Sequence, residues 1–94
     1  IIYLRNNRHP GKVFDWGWEA VMKVASSSEN VFDRLESGEN YGMGWWVDGP
    51  NNHGNILQNS LIRDNFAQGV RIEIAFNTGV YNNLIIGNRE VGLE

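Results

Sequence analysis

The feature that most constrains this chain is a repeat of about 23 residues. Shifting "NILQNSLIRDNFAQGV", Asn55 to Val70, by 23 positions lays it on "TGVYNNLIIGNREVGL", Thr78 to Leu93. Asn59 falls on Asn82, Leu61 on Leu84, Ile62 on Ile85, Asn65 on Asn88, Gly69 on Gly92 and Val70 on Leu93. An earlier copy matches at a shift of 25, with Asn40 on Asn65, Gly44 on Gly69, Trp45 on Val70, Val47 on Ile72 and Asp48 on Glu73. Asn30 and Val31 meet Asn55 and Ile56 at that same shift. One copy earlier, "VMKVA", Val21 to Ala25, matches "GWWVD" at a shift of 23, and the opening "YLRNN" resembles "LIRDN". A repeat of this length is one supersecondary unit that buries its apolar side only by stacking on its neighbours.

Each unit reads as short apolar strands divided by Asn or Gly corners, with no helical period over ten or more residues. The chain holds thirteen Asn and eleven Gly but only two Pro, a composition suited to recurrent left-handed corners. A regular leucine framework is missing, which argues against a leucine-rich repeat. The expected fold is all-β: a right-handed parallel β-helix of about four coils, approximately residues 1–25, 26–49, 50–75 and 76–94, in a single partial domain. Further coils of a longer chain are expected at both ends, because repeat folds need capping units and none is evident here.

The 94 residues allow one small domain, and the apolar content is too high for a disordered segment. A net charge of -3 without a basic run argues against nucleic acid as a partner. No apolar run is long enough to span a membrane. The absence of cysteine excludes disulfides and thiolate metal sites.

The repeat also places side chains. In a strand, successive residues face opposite sides. Counting from the glycine that opens each strand, the first and third positions are Met22 and Val24, Trp45 and Val47, Val70 and Ile72, and Leu93, all expected inside. The second and fourth are Lys23 and Ala25, Trp46 and Asp48, Arg71 and Glu73, and Glu94, all expected on the outward face. Asp48 and Glu73 share a position on successive coils, so they are expected to be stacked neighbours, about 5 Å apart if their rotamers run parallel; a divergence to about 6.5–9.5 Å would favour an inverting pair instead. Like charges so placed repel, and a surface sheet usually avoids them. The alternative is a pair of solvated surface acids. Trp46 is expected on the open face, either as a flat surface for a sugar ring or as a partner of Lys23 and Arg71 in a cation–π stack.

"NILQNSLIRDN" followed by "GVRIEI" resembles the right-handed parallel β-helix repeat of the pectin-lyase-like superfamily. The run "WEAVMKV...N...GWWVD...N.L..N...GVRIEIA" is similar to carbohydrate-active β-helix proteins, glycoside hydrolases of β-xylosidase type among them. The resemblance covers roughly residues 16–94 and implies a glycan substrate from a plant or microbial source. It implies Asp48 as nucleophile and Glu73 as acid/base, with Trp46, Arg71, Lys23 and Trp18 contacting substrate. Trp18 lies in a loop, "HPGKVFDWGWE", that is expected to wall a groove. The hydrolase reading needs no metal or cofactor. A polysaccharide lyase acting on uronic-acid polymers is the second reading; it would use Arg71 or Lys23 as base, usually with calcium. A non-catalytic segment of a surface or adhesion protein is the third. The resemblance also implies a secreted, periplasmic or cell-surface location.

Overall fold

The computed structural model describes residues 2–4 and 20–94. Among the described residues twelve short strands alternate with corners: β1 (Ile2–Leu4), β2 (Lys23–Ala25), β3 (Val31–Asp33), β4 (Leu35–Gly38), β5 (Trp45–Asp48), β6 (Asn52–His53), β7 (Ile56–Gln58), β8 (Leu61–Arg63), β9 (Val70–Ile72), β10 (Ala75–Phe76), β11 (Gly79–Tyr81) and β12 (Leu84–Ile86). Every strand pairs in parallel with one a full coil away. The orders are β1-β4-β8-β12, β2-β5-β9, β3-β7-β11 and β6-β10. This is a parallel β-helix, as the repeat predicts.

The register explains the two shifts in the sequence. Lys23 pairs with Trp46 and Asn52 with Ala75, both 23 residues apart. Val31 pairs with Ile56 and Trp45 with Val70, both 25 apart. Only the longer steps span the corner after Asp48, which therefore carries two extra residues within Gly49–Asn51. Gly49 sits there at a φ of 105°, a backbone region closed to side-chain-bearing residues. Ile2 pairs with Leu35, a step of 33, whereas Ala20 bridges Met43, a step of 23. The first coil is thus ten residues longer, and the excess falls between Leu4 and Ala20. The aromatic loop with Asp15, Trp16, Trp18 and Glu19 belongs to that stretch and lies outside the described residues.

Corners recur in register as well. Arg34, Asn59 and Asn82 form one left-handed column, with φ of 54°, 52° and 51°. Glu39, Asp64 and Gly87 form a second, and Glu29, Gly54 and Asn77 a third. The fourth is Ser26, Asn51 and Ile74, with φ of 47°, 69° and 50°. Asn and Gly tolerate this conformation, whereas a β-branched residue such as Ile74 does so at a cost.

Side-chain amides join the coils. Asn40 Nδ2 donates to Asn65 Oδ1 at 2.8 Å, and Asn65 Nδ2 donates to Asn88 Oδ1 at 2.9 Å. Asn30 Nδ2 donates to Asn55 Oδ1 at 2.9 Å. At another corner Asn82 donates to Asn59 at 2.7 Å, and Asn59 donates to Asp33 at 2.8 Å. That Asn59 bond is the largest influence holding the Asp33 carboxyl below its ordinary range. Partial burial opposes it, and hydrogen bonds from Gln58 and Arg34 reinforce it. The corner asparagines Asn59, Asn65, Asn82 and Asn88 are structural, as the repeat implies.

The interior is a stack of apolar side chains: Val24, Leu35, Trp45, Val47, Leu57, Ile62 and Val70 are buried together. Phe32 packs edge-on against Trp45, with ring centroids 5.5 Å apart. Met22, Ile72 and Ile85 pack against this stack while partly exposed. Leu93, expected inside, is half exposed because it occupies the last rung and no further coil covers it in the structure.

Gly44 and Gly69 open their strands because the coils approach closely beside the Asn40–Asn65–Asn88 ladder. A Cβ on Gly69 would lie 2.5 Å from Asn88 Nδ2 and 2.7 Å from the Gly92 carbonyl oxygen. A Cβ on Gly92 would meet only the end of Ile85, at 3.3 Å. Gly69→Ala is therefore expected to destabilise the chain by about 1–3 kcal/mol, measured by urea unfolding. Gly92→Ala, which lacks that backbone clash, should stay close to the wild type.

Candidate functional site

The outward face of β2, β5 and β9 carries two columns of side chains. Pairing of Lys23 with Trp46 and of Trp46 with Arg71 puts these three in one column. Glu94 continues it, since its backbone N–H donates to Val70 O and its carbonyl accepts from Ile72 N. The second column follows from the pairs Ala25–Asp48 and Val47–Ile72 and from the Glu73 N–H bond to Val47 O at 2.8 Å. It runs Ala25, Asp48, Glu73. The two carboxylates thus occupy the same position on adjacent strands. Rungs are separated by about 4.8 Å in such a sheet.

Each carboxylate has its own cation. Lys23 Nζ lies 2.6 Å from Asp48 Oδ2. Arg71 Nε lies 3.4 Å from Glu73 Oε2 and 3.7 Å from Glu94 Oε2. Glu73 Oε2 is shielded from solvent, and no aligned hydrogen bond reaches it from the described residues. The Glu73 contact is therefore a charge–charge approach rather than a directed bond. Asp48 is the more enclosed acid, with its side chain 18% exposed against 31% for Glu73. Acids and bases alternate along this face, which offsets the repulsion that two stacked carboxylates would otherwise feel.

Trp46 departs from expectation. It faces outward, but it is only 1% exposed. Met43, Ala67 and Ala20 pack around it in a second, smaller apolar cluster. Met43 and Ala67 belong to the segments 39–44 and 64–69, which connect the β4–β8–β12 sheet to this one. Lys23 Nζ sits 3.6 Å from the indole centroid, and Arg71 Cζ lies 5.9 Å away on the following coil. Those distances make it a cation–π partner worth roughly 0.5–2 kcal/mol and leave no face for a sugar ring. Of the two readings of Trp46, the structure selects the cation–π stack. Its consequence for the site is positional, because it holds the ammonium that meets Asp48 and lies under the guanidinium that meets Glu73.

The structure thus gathers Lys23, Trp46, Asp48, Arg71 and Glu73 on one face. Trp18 lies outside the described residues. It also reveals a groove that the sequence reading passed over. A hollow of about 370 Å³ is lined by Glu39, Tyr41, Asp64, Phe66 and Arg89 among others. Tyr41 and Phe66 stack with centroids 5.9 Å apart, and Arg89 Cζ lies 4.3 Å from the Phe66 centroid. Arg63 bridges Glu36, Glu39 and Asp64 at 2.9, 3.3 and 3.0 Å. The signal for this column was present: Tyr41, Phe66 and Arg89 follow the same steps of 25 and 23 as the asparagine ladder beside them.

Comparisons with known proteins bear on the fold alone. No curated protein and no solved structure matches the chain. The family described as right handed beta helix region matches residues 2–94, nearly the whole sequence and all four sheets. Parallel pairing throughout, amide ladders at the corners and this match together place the chain in the right-handed β-helix family.

Proposed function

We propose that the outward face of β2, β5 and β9 binds a glycan of plant or microbial origin and that the chain hydrolyses a glycosidic bond there. One observation carries the proposal: Asp48 and Glu73 stand at the same register position on adjacent strands. Retaining glycoside hydrolases need two carboxyl groups about 5–5.5 Å apart, close to the spacing between rungs. In this reading Asp48 attacks the anomeric carbon while Glu73 protonates the departing oxygen. Glu73 then takes a proton from water, which displaces Asp48 and releases the sugar.

The assignment of roles follows the resemblance to β-xylosidase-type β-helix enzymes, and the local geometry is compatible with it. Lys23 fixes one oxygen of Asp48 and so aims the carboxylate. Glu73 is held less tightly, by a longer contact with Arg71. Lys23 and Arg71 serve in this reading chiefly to orient the acids, and both remain partly exposed to meet glycan hydroxyls. Trp46 supports them from beneath. The chemistry requires no metal or cofactor.

The test is turnover of a panel of aryl glycosides by the wild-type chain, by Asp48→Asn and by Glu73→Gln. Activity in the wild type with loss in both variants supports the pair. Wild-type turnover in both variants removes these residues from the mechanism. A wild type that binds glycan without turnover makes this face a binding module instead.

A further inference from the structure

Around the corner that follows Glu73 lies a second surface with a distinct chemistry. β10 pairs with β6 so that Phe76 stands beside His53. Phe76 is 68% exposed and Ile74 63%. Neither side chain lies in the core, both stand at the last rung of the β6–β10 sheet, and Ile74 adds the strain of a β-branched residue at a φ of 50°. Ser26 and Asn51 occupy the same corner on the preceding coils, so a polar residue is compatible with this backbone.

The His53 ring is oriented by hydrogen bonds to the preceding coil. Ser28 Oγ donates its single hydrogen to the Asn51 carbonyl at 2.6 Å. The 3.0 Å contact between Ser28 Oγ and His53 Nδ1 therefore has Nδ1–H as donor. The His53 backbone N–H also points to that hydroxyl, at 3.4 Å. In the neutral ring this tautomer leaves Nε2 with a lone pair on an exposed side chain, on the strand beside that of Phe76.

We infer that His53 and Phe76, bordered by Ile74, form an accessory subsite for a pyranose ring of the glycan, beyond the pair Asp48 and Glu73. A sugar offers an apolar C–H face and hydroxyl donors at its rim. An exposed aromatic ring beside a fixed imidazole acceptor complements both features. Phe76 follows Glu73 by three residues, so roughly 11 Å of extended chain is the greatest separation of their backbones. That distance suits a neighbouring sugar unit on the same chain. The subsite rests on the glycan reading of the β2–β5–β9 face, and it commits Ile74 and Phe76 to glycan rather than to self-association.

The experiment is affinity electrophoresis of the whole chain through gels of soluble xylan, polygalacturonate and laminarin, with sedimentation velocity on each variant. Phe76→Ala should weaken binding to the retained polysaccharide by about tenfold, and His53→Ala should weaken it several-fold. Ile74→Asn should weaken it while raising the unfolding midpoint, because the corner is relieved of strain. Retention of the wild type, unchanged by Phe76→Ala and His53→Ala, overturns the subsite and leaves the Asp48–Glu73 reading standing. A wild type retained by none of the polysaccharides overturns the subsite, and the Asp48–Glu73 reading is then decided separately by turnover of aryl glycosides. A wild type that self-associates, with Phe76→Ala monomeric and glycan retention unaltered, identifies the patch as a contact between copies and overturns the subsite.

Discussion

Asn65→Ala is expected to destabilise the chain by about 3–5 kcal/mol, more than any other single corner substitution, because several buried polar groups lose a partner together. Asn65 is 1% exposed. Its Oδ1 accepts from the Asn40 backbone N–H at 3.3 Å and from Asn40 Nδ2 at 2.8 Å. Its Nδ2 donates to Ser37 O at 3.2 Å and to Asn88 Oδ1 at 2.9 Å. Removing the amide takes away both of those donors and the acceptor for two others, at a place where water has little access. Asn82→Ala is the natural control. Asn82 makes the same kind of amide bond to Asn59, at 2.7 Å, but in an exposed corner. There water replaces the lost partner, and the cost should stay at about 1–2 kcal/mol, most of it from placing Ala at the left-handed φ of 51°. Urea unfolding of the two variants checks the difference. Equal costs would mean that the ladder does not join the coils in the way its hydrogen bonds indicate.

Asp48→Asn and Glu73→Gln are expected to lower kcat/KM for an aryl glycoside by different routes. Under the proposed mechanism the Asn variant retains the shape of Asp48 but not the charge that attacks carbon, so turnover should fall for every leaving group. The Gln variant loses the proton donor, an effect typically worth about 10²–10⁴-fold. Its loss should be smallest with nitrophenolate, which departs without protonation, and largest with an alkyl leaving group. Both variants should fold. Asp48 and Glu73 lie outside the apolar stack, and their ion pairs, at side-chain exposures of 18–40%, are worth little to stability. Equal losses across all leaving groups in Glu73→Gln would assign that residue a role other than acid/base.

Strand parity made the inside and outside of each coil legible, and Val24, Trp45, Val47 and Val70 are buried as the alternation requires. The register of Asp48 with Glu73 was legible too, because it needs only the correct shift. The change of shift became intelligible only with the corner at Gly49–Asn51, where two added residues leave the strands above and below undisturbed. Burial of Trp46 was not legible from parity. Parity says which way a side chain points; what then covers it depends on how the 39–44 and 64–69 segments fold back over the strand. Met43 and Ala67 are unremarkable in the sequence, yet they close off the indole. The cations on either side, at Lys23 and Arg71, were the available hint. The His53 tautomer was equally hidden, since it follows from a hydroxyl bond between coils.

The proposed role of Asp48 and Glu73 as a retaining pair is tested most directly by the configuration of the first sugar released. Proton NMR during early turnover of an aryl glycoside distinguishes the two anomers before mutarotation mixes them. Carboxyls on adjacent rungs predict release of the anomer with the substrate's own configuration. Initial release of the opposite anomer would require a wider separation, with room for a water between base and sugar, and would contradict the pairing of Asp48 with Glu73 as nucleophile and acid/base.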